Sequence, residues 1–316
     1  MNKFLTKLPM ALAISGAFAV GAPSVANANV MASAVLETSN FLVRNATDTA
    51  TLDASAFSFL TFTNSGGYAG TLVGTPGFNA SGSTTGLDLP VACVGSGCGA
   101  FNAAYGPNNS FTHLIPPPVG NYSAADQKES GAPITGIPGL ATPAAISNGS
   151  YAGLTSINGL SHSTSTNNLN ASFMFTPVAA GAVRFKFTAA AYLQTYVTAD
   201  ENFPAFATAS YELGFSLVDL SAGGAVVSVI TPDIFGNGLN SISLNAPLPI
   251  TINQTQNGSI NVNFLTPVLL TSHLYQLSAR NNVNADAQRQ IPEPESMLLL
   301  GIGLLGLALG RKKRVS

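Results

Sequence analysis

The sequence has 316 residues, of which only 8% are charged, and its formal net charge is −2 at pH 7. Intracellular globular proteins carry about a quarter charged residues, so this composition indicates a surface of hydroxyl and amide groups facing the outside of the cell. Between the two ends of the chain the few cations form no basic patch, which excludes a nucleic-acid-binding function.

The N-terminus has the three parts of a secretory signal peptide. Its first residues include Lys3 and Lys7, and the run from Leu8 to Val20 that follows is almost wholly apolar. The small residues Ala26 and Ala28 then form an A-x-A triplet of the kind that signal peptidase recognises. We therefore predict a signal peptide over residues 1–28, cleaved after Ala28, with cleavage after Ala26 as the alternative.

The body over residues 29–290 is predicted to be all-β. Residues 29–74 are strand-like, because Phe57 and Phe59 are interleaved with polar residues at nearly the two-residue period of a strand. Residues 75–168 are rich in Pro, Gly, Ser and Asn. Since proline donates no hydrogen bond to a β-ladder, we expect a loop-rich segment there, with short edge strands at most.

Clear alternation returns from residue 171. Arg184 and Lys186 alternate with apolar neighbours, so we expect both cations to face solvent. The core is expected to contain Val183, Phe185, Phe187, Phe215 and Leu217. Residues 221–224 predict one hairpin turn, and Asn257-Gly258 predicts a second. Several short strands without an amphipathic helix favour an antiparallel β-sandwich or jelly roll.

The two cysteines, Cys93 and Cys98, enclose the sequence Val-Gly-Ser-Gly. In an exported chain, a pair this close is expected to form a disulfide that closes a tight loop. The alternative is a metal site, which needs about four ligands, and no histidine or further cysteine lies nearby in the sequence. We predict no metal site and no cofactor.

No catalytic motif occurs in the body. His113, His162 and His273 lie in different regions without metal-ligand spacing, and no serine lies in a G-x-S-x-G elbow. We therefore predict no catalytic residues.

Acidic residues supply the remaining candidates for a site. Asp200-Glu201 and Asp233 could contribute oxygen ligands for calcium, although Asp, Asn and Gly also favour solvated turns. Glu201 and Glu212 are the pair that a glycoside hydrolase could use, but no spacing supports them.

The segment 291–316 has three parts. Pro292-Glu293-Pro294 comes first, and Met297–Gly310 has no polar side chain. Four cations follow: Arg311, Lys312, Lys313 and Arg314. As a helix the apolar run spans about 21 Å, less than the roughly 30 Å hydrocarbon core, but flanking cations can snorkel to the head groups and mark the cytoplasmic side. We predict a transmembrane helix over residues 297–310, with the body outside the cell and the basic anchor inside.

Gly301, Gly303 and Gly306 have the spacing of a dinucleotide-binding fingerprint. That fingerprint requires a βαβ unit, which the remaining residues cannot form. We interpret these glycines as small residues of the membrane helix.

The order of Pro-Glu-Pro, apolar helix and basic cluster resembles the PEP-CTERM sorting signal of Gram-negative bacteria. The resemblance covers about the last 26 residues. It implies recognition by an exosortase, a membrane-embedded, cysteine protease-like enzyme, and an association with exopolysaccharide and biofilm. A removable lipid-anchor signal is the alternative, but such signals normally end in apolar residues.

Together these features predict a non-enzymatic protein of the cell surface or extracellular matrix. We expect transient anchoring in the inner membrane, followed by release to the cell surface or beyond. The expected partners are signal peptidase, exosortase, the membrane before processing, and an exopolysaccharide. Two alternatives stay open, namely a carbohydrate-binding module that uses Tyr and Asn side chains, and a secreted hydrolase without a recognisable motif.

Overall fold

The structure, a computed structural model, describes residues 29–62, 64–84, 86–155, 159–198, 205–246 and 251–289. In these ranges the strands are β1 (Val30–Asn45), β2 (Phe57–Thr61), β3 (Asn64–Leu72), β4 (Thr75–Thr84), β5 (Asp88–Val94), β6 (Tyr122–Ser130), β7 (Ala144–Leu154), β8 (Gly159–Pro177), β9 (Val183–Val197), β10 (Ala205–Asp219), β11 (Ala225–Ile230), β12 (Ser241–Ala246), β13 (Ile252–Leu265) and β14 (Tyr275–Arg289). The helical elements are a 3₁₀ turn (Ala54–Ala56) and the helix α1 (Cys98–Tyr105).

The strands form two antiparallel sheets. The six-stranded sheet has the order β13-β9-β1-β7-β6-β5. The eight-stranded sheet has the order β11-β10-β14-β8-β3-β4, with β12 pairing with β10 and β2 pairing with β8. The prediction of an antiparallel, mostly β body is therefore confirmed.

The main core lies between the two sheets. The Phe187 ring of the six-stranded sheet lies 4.4 Å, centroid to centroid, from the Phe215 ring of the eight-stranded sheet. All five predicted core residues are buried: Val183, Phe185, Phe187, Phe215 and Leu217. Arg184 and Lys186 lie on the opposite face of β9 and are partly exposed, as predicted. The two-residue period predicted the buried and exposed faces of β9 correctly, because a shift of one residue would bury both cations.

The predicted loop-rich segment over residues 75–168 is wrong for much of its length, since β4 to β7 and the start of β8 lie within it. Pro76 and Pro90 are tolerated because β4 and β5 are edge strands of their sheets, where a missing donor breaks no ladder. The clustered prolines 116–118 lie in the connection between α1 and β6.

The predicted hairpins have different outcomes. The turn at residues 221–224 joins β10 to β11, which pair from Asp219 with Ala225 onward, so this prediction is confirmed. The turn at Asn257-Gly258 is wrong, because both residues lie inside the continuous strand β13. A Cβ atom at Gly258 would lie 2.7 Å from Phe235 Cδ1 and 2.8 Å from the Ile234 carbonyl oxygen. The glycine therefore permits close packing and makes no turn.

Candidate functional site

The predicted sorting and processing residues belong to the two ends of the chain. The predicted cleavage residues Ala26 and Ala28, the Pro292-Glu293-Pro294 triplet, the helix 297–310 and the basic anchor all lie outside the described residues. In the part of the chain that the structure describes, neither helical element could span a membrane.

Cys93 at the end of β5 and Cys98 at the start of α1 are joined by a disulfide with an S–S length of 2.04 Å. The disulfide fixes α1 against the outer face of the six-stranded sheet. Phe101 and Tyr105 of α1 are buried there among Tyr122, Tyr151 and other apolar residues. This packed helix was not predicted from the sequence, because the Pro, Gly, Ser and Asn residues around it indicated a loop.

Asp126 holds the connection that follows α1. Its carboxylate accepts hydrogen bonds from the Tyr105 hydroxyl and, at 2.8 Å, from the Asn109 backbone N–H. Burial raises the pKa of Asp126, although both hydrogen bonds oppose the rise. These hydrogen bonds hold α1 and the connection that follows it against the outer face of the six-stranded sheet.

The three histidines lie in separate places. His162 Nδ1 contacts the Asp286 carboxylate on the outer face of the eight-stranded sheet. His273 Nδ1 lies 2.5 Å from the Asp219 carboxylate. The exposed His113 ring stacks on Tyr192 with 3.6 Å between ring centroids. The hydrogen bond to Asp286 raises the pKa of His162, whereas burial lowers the pKa of His113.

The two acidic candidates that the structure describes, Asp233 and Glu212, have separate partners. Asp233 caps a turn by accepting the backbone N–H groups of Gly236 at 2.9 Å and Gly238 at 2.8 Å. Glu212 pairs with Arg280 at 3.0 Å, and Asp200-Glu201 lie outside the described residues. In the described part of the chain, no group of three or more His, Cys, Asp or Glu residues could hold a metal ion.

A row of uncharged polar side chains follows the outer face of β13. From Asn253 to Asn263, every second residue of this edge strand is exposed and carries an amide or hydroxyl group. We call this set the polar row: Asn253, Thr255, Asn257, Ser259, Asn261 and Asn263. At about 3.3 Å per residue, the row extends for about 33 Å.

The neighbouring strand β9 adds aromatic groups to one end of the polar row. Tyr196 is directly opposite Asn253, and Tyr192 is opposite Asn257. Tyr196 is partly exposed, while Tyr192 is covered by the exposed ring of His113. The polar row therefore begins beside a small aromatic surface.

Cross-strand hydrogen bonds hold several side chains of the polar row in place. Gln194 accepts from the Tyr192 hydroxyl at 3.1 Å and donates to Asn253 at 3.3 Å. The Thr188 hydroxyl lies 2.8 Å from Asn261 Oδ1. At the far end, Arg184 donates to Asn263 Oδ1 at 2.7 Å. The arrangement suits hydrogen bonding to a ligand with many hydroxyl groups.

Comparison with known families gives the decisive observation about the C-terminus. A profile of the PEP-CTERM protein-sorting motif matches residues 290–314. The chain carries a PEP-CTERM sorting motif. The match includes the Pro292-Glu293-Pro294 triplet, the apolar run and the basic cluster. The PEP-CTERM motif indicates an exported protein that an exosortase sorts to the cell surface. Neither a curated protein nor a solved structure matches the chain significantly.

Proposed function

We propose that the mature body is a non-enzymatic protein of the cell surface or extracellular matrix, associated with biofilm and exopolysaccharide in a Gram-negative bacterium. The PEP-CTERM motif at residues 290–314, attached to this β-sandwich body, is the observation that carries the proposal. The chain enters the export pathway through its signal peptide. It is then held in the inner membrane by residues 297–310 until the exosortase acts near Pro292-Glu293-Pro294.

The surface of the body supports this assignment. Its exposed outer faces present amides and hydroxyls, and twelve acidic and six basic residues occur in the whole of residues 29–290. The structure describes two His–Asp pairs, and they are separate from each other: His162 contacts Asp286, and His273 contacts Asp219. These features suit a structural component better than a hydrolase.

The proposal is tested by following the body in cell fractions. A host producing the wild-type chain is compared with one in which Pro292, Glu293 and Pro294 are all replaced by Ala. We expect immunoblots to find the wild-type body in the matrix fraction and the variant in the membrane fraction. Equal amounts of both proteins in the matrix would overturn the sorting part of the proposal.

The non-enzymatic part is tested with the purified full-length chain and exopolysaccharide from the producing strain. We expect the polymer length, measured by size-exclusion chromatography, to stay unchanged over prolonged incubation. Shortening of the polymer that is abolished by His162→Ala would replace the proposal with the hydrolase alternative.

A further inference from the structure

We propose that the polar row, together with Tyr196, binds a neutral polysaccharide chain that lies along β13. This inference rests on the proposed surface function and adds a ligand class and a site to it. The polar row is exposed and about 33 Å long, so it offers repeated contacts to an extended polymer.

The chemistry of the polar row matches sugar hydroxyls. Each Asn side chain has two N–H donors and a carbonyl acceptor, while Thr255 and Ser259 can both donate and accept. A sugar hydroxyl likewise donates and accepts, so adjacent groups can each form hydrogen bonds to the polymer. Hydrogen bonds within the protein use only part of this capacity. For example, Asn253 Oδ1 and Asn261 Oδ1 each accept one such bond.

Charge favours a neutral polymer over an acidic one. The cations on the outer face of β9, Arg184 and Lys186, lie at one end of the polar row. Lys186 is already paired with Asp48 at 2.8 Å. The body carries twice as many acidic as basic residues, so a polyanion would be repelled over the rest of the surface.

The aromatic surface beside Asn253 supplies an apolar contact. The partly exposed Tyr196 ring and the exposed His113 ring can contact the C–H faces of sugar rings, while polar atoms of both groups stay hydrated. Burial lowers the pKa of His113, which favours the neutral form of its ring. An uncharged ring at this place agrees with a neutral ligand.

The polar row is also organised before a ligand arrives. Gln194 is fully buried and joins Tyr192 to Asn253, and the backbone of β13 is paired with β9 along its whole length. Side chains that are already fixed lose less conformational entropy on binding. The outer face of the eight-stranded sheet differs, because charged groups such as Asp286, Glu212 and Arg280 interrupt its amides and hydroxyls.

The test is affinity electrophoresis of the full-length chain, purified in a mild detergent, through gels containing exopolysaccharide of the producing strain. The polymer is first separated into neutral and acidic fractions by ion exchange. The test variants are Tyr196→Ala, Tyr196→Phe and the double variant Asn257→Ala with Asn261→Ala. The matched control is Asn245→Ala with Asn284→Ala on the outer face of the other sheet.

We expect the neutral fraction to retard the wild type, Tyr196→Phe and the control equally. Tyr196→Ala and the double variant should bind about tenfold more weakly, because a ring contact or two hydrogen-bonding groups are lost. Circular dichroism melting checks that all variants are folded.

Retardation by the acidic fraction alone, equal retardation of all variants, or dimerisation through the open edge of β13 without polymer binding would each overturn this inference. Failure of this inference and failure of the proposed function give different results. A body that reaches the matrix without binding the polymer refutes only the site, and a body that binds but stays in the membrane refutes only the sorting.

Discussion

Phe187 occupies the closest aromatic contact between the two sheets. It is 2% exposed and packs against Phe215 and Phe41, whose ring lies 5.6 Å away. We predict that Phe187→Ala lowers the free energy of unfolding by about 3–5 kcal/mol, because the cavity cannot be refilled by the surrounding rigid strands. Urea unfolding measures the difference.

Lys186 is the control for Phe187, since it is adjacent in sequence but lies on the other face of β9. It pairs with Asp48, and both side chains are partly exposed. An ion pair of this kind contributes little, so Lys186→Ala should leave the unfolding midpoint nearly unchanged. Equal effects of the two substitutions would contradict the assigned faces.

Glu129 makes stability depend on pH. It lies on the same face of β6 as Ser123, which donates a hydrogen bond to the His162 carbonyl of the opposite sheet, so it points between the sheets. Burial raises its pKa from 4.5 to about 8. A raised folded-state pKa means that its contribution to stability is present below about pH 4.5 and is lost as pH rises towards about 8.

We therefore predict that the wild type unfolds more easily at about pH 8 than at about pH 5, and that Glu129→Gln reduces this difference. His162 also has a raised pKa and acts in the same direction, so the comparison with Glu129→Gln isolates the glutamate. Chemical denaturation at the two pH values supplies the measurement. An unchanged difference in the variant would refute this role of Glu129.

At the scale of single elements, Gly258 allows β13 to pass close to the segment that contains Phe235. We predict that Gly258→Ala lowers the free energy of unfolding by about 1–3 kcal/mol, since the added methyl group has no room. Gly214 in β10 is the matched control, because its nearest neighbours lie 3.9 Å from an added Cβ. Similar unfolding curves for the two variants would contradict the close packing.

The disulfide between Cys93 and Cys98 closes a loop with a sequence separation of only 5. Replacing both cysteines with Ser should lower the free energy of unfolding by about 2 kcal/mol, because so short a loop removes little entropy from the unfolded chain. The body should stay folded, since Phe101 and Tyr105 still anchor α1. Loss of the β-sheet signal in circular dichroism after the substitution would show that the bond has a larger role.

The sequence predicted those strands in which only one face is buried. Alternation in β9 and β10 revealed Val183 and Phe215, because each strand has a core face and a wetter face. Alternation did not reveal β6, because nearly every residue of this strand is buried. The helix α1 covers one face of the strand and the opposite sheet covers the other. Small and polar residues fill both faces there, so no period is visible.

The polar row was present in the sequence as alternating Asn, Thr and Ser, but interpreting Asn257-Gly258 as a turn divided it into two strands. Tertiary packing against Phe235 decides the conformation of this glycine, and a local turn preference cannot report it. The stacking of His113 on Tyr192 could not be predicted from the sequence either, because it depends on how the connection after α1 folds over the sheet.

At the scale of the whole molecule, the account joins a β-sandwich body to a PEP-CTERM motif at residues 290–314. We expect export to remove the signal peptide and sorting to cleave the chain near the motif. The two events should leave a mature protein without residues 1–28 and without the basic anchor. The body itself should pass through both steps unchanged, with its disulfide intact.

Intact mass spectrometry of the protein recovered from the surface fraction tests this account most directly. In a strain with an active exosortase, the mature chain should begin at Asn29, end near Pro294 and lack the cations Arg311 to Arg314. Recovery of a surface protein that still carries the full basic cluster would contradict the central claim that an exosortase processes this chain.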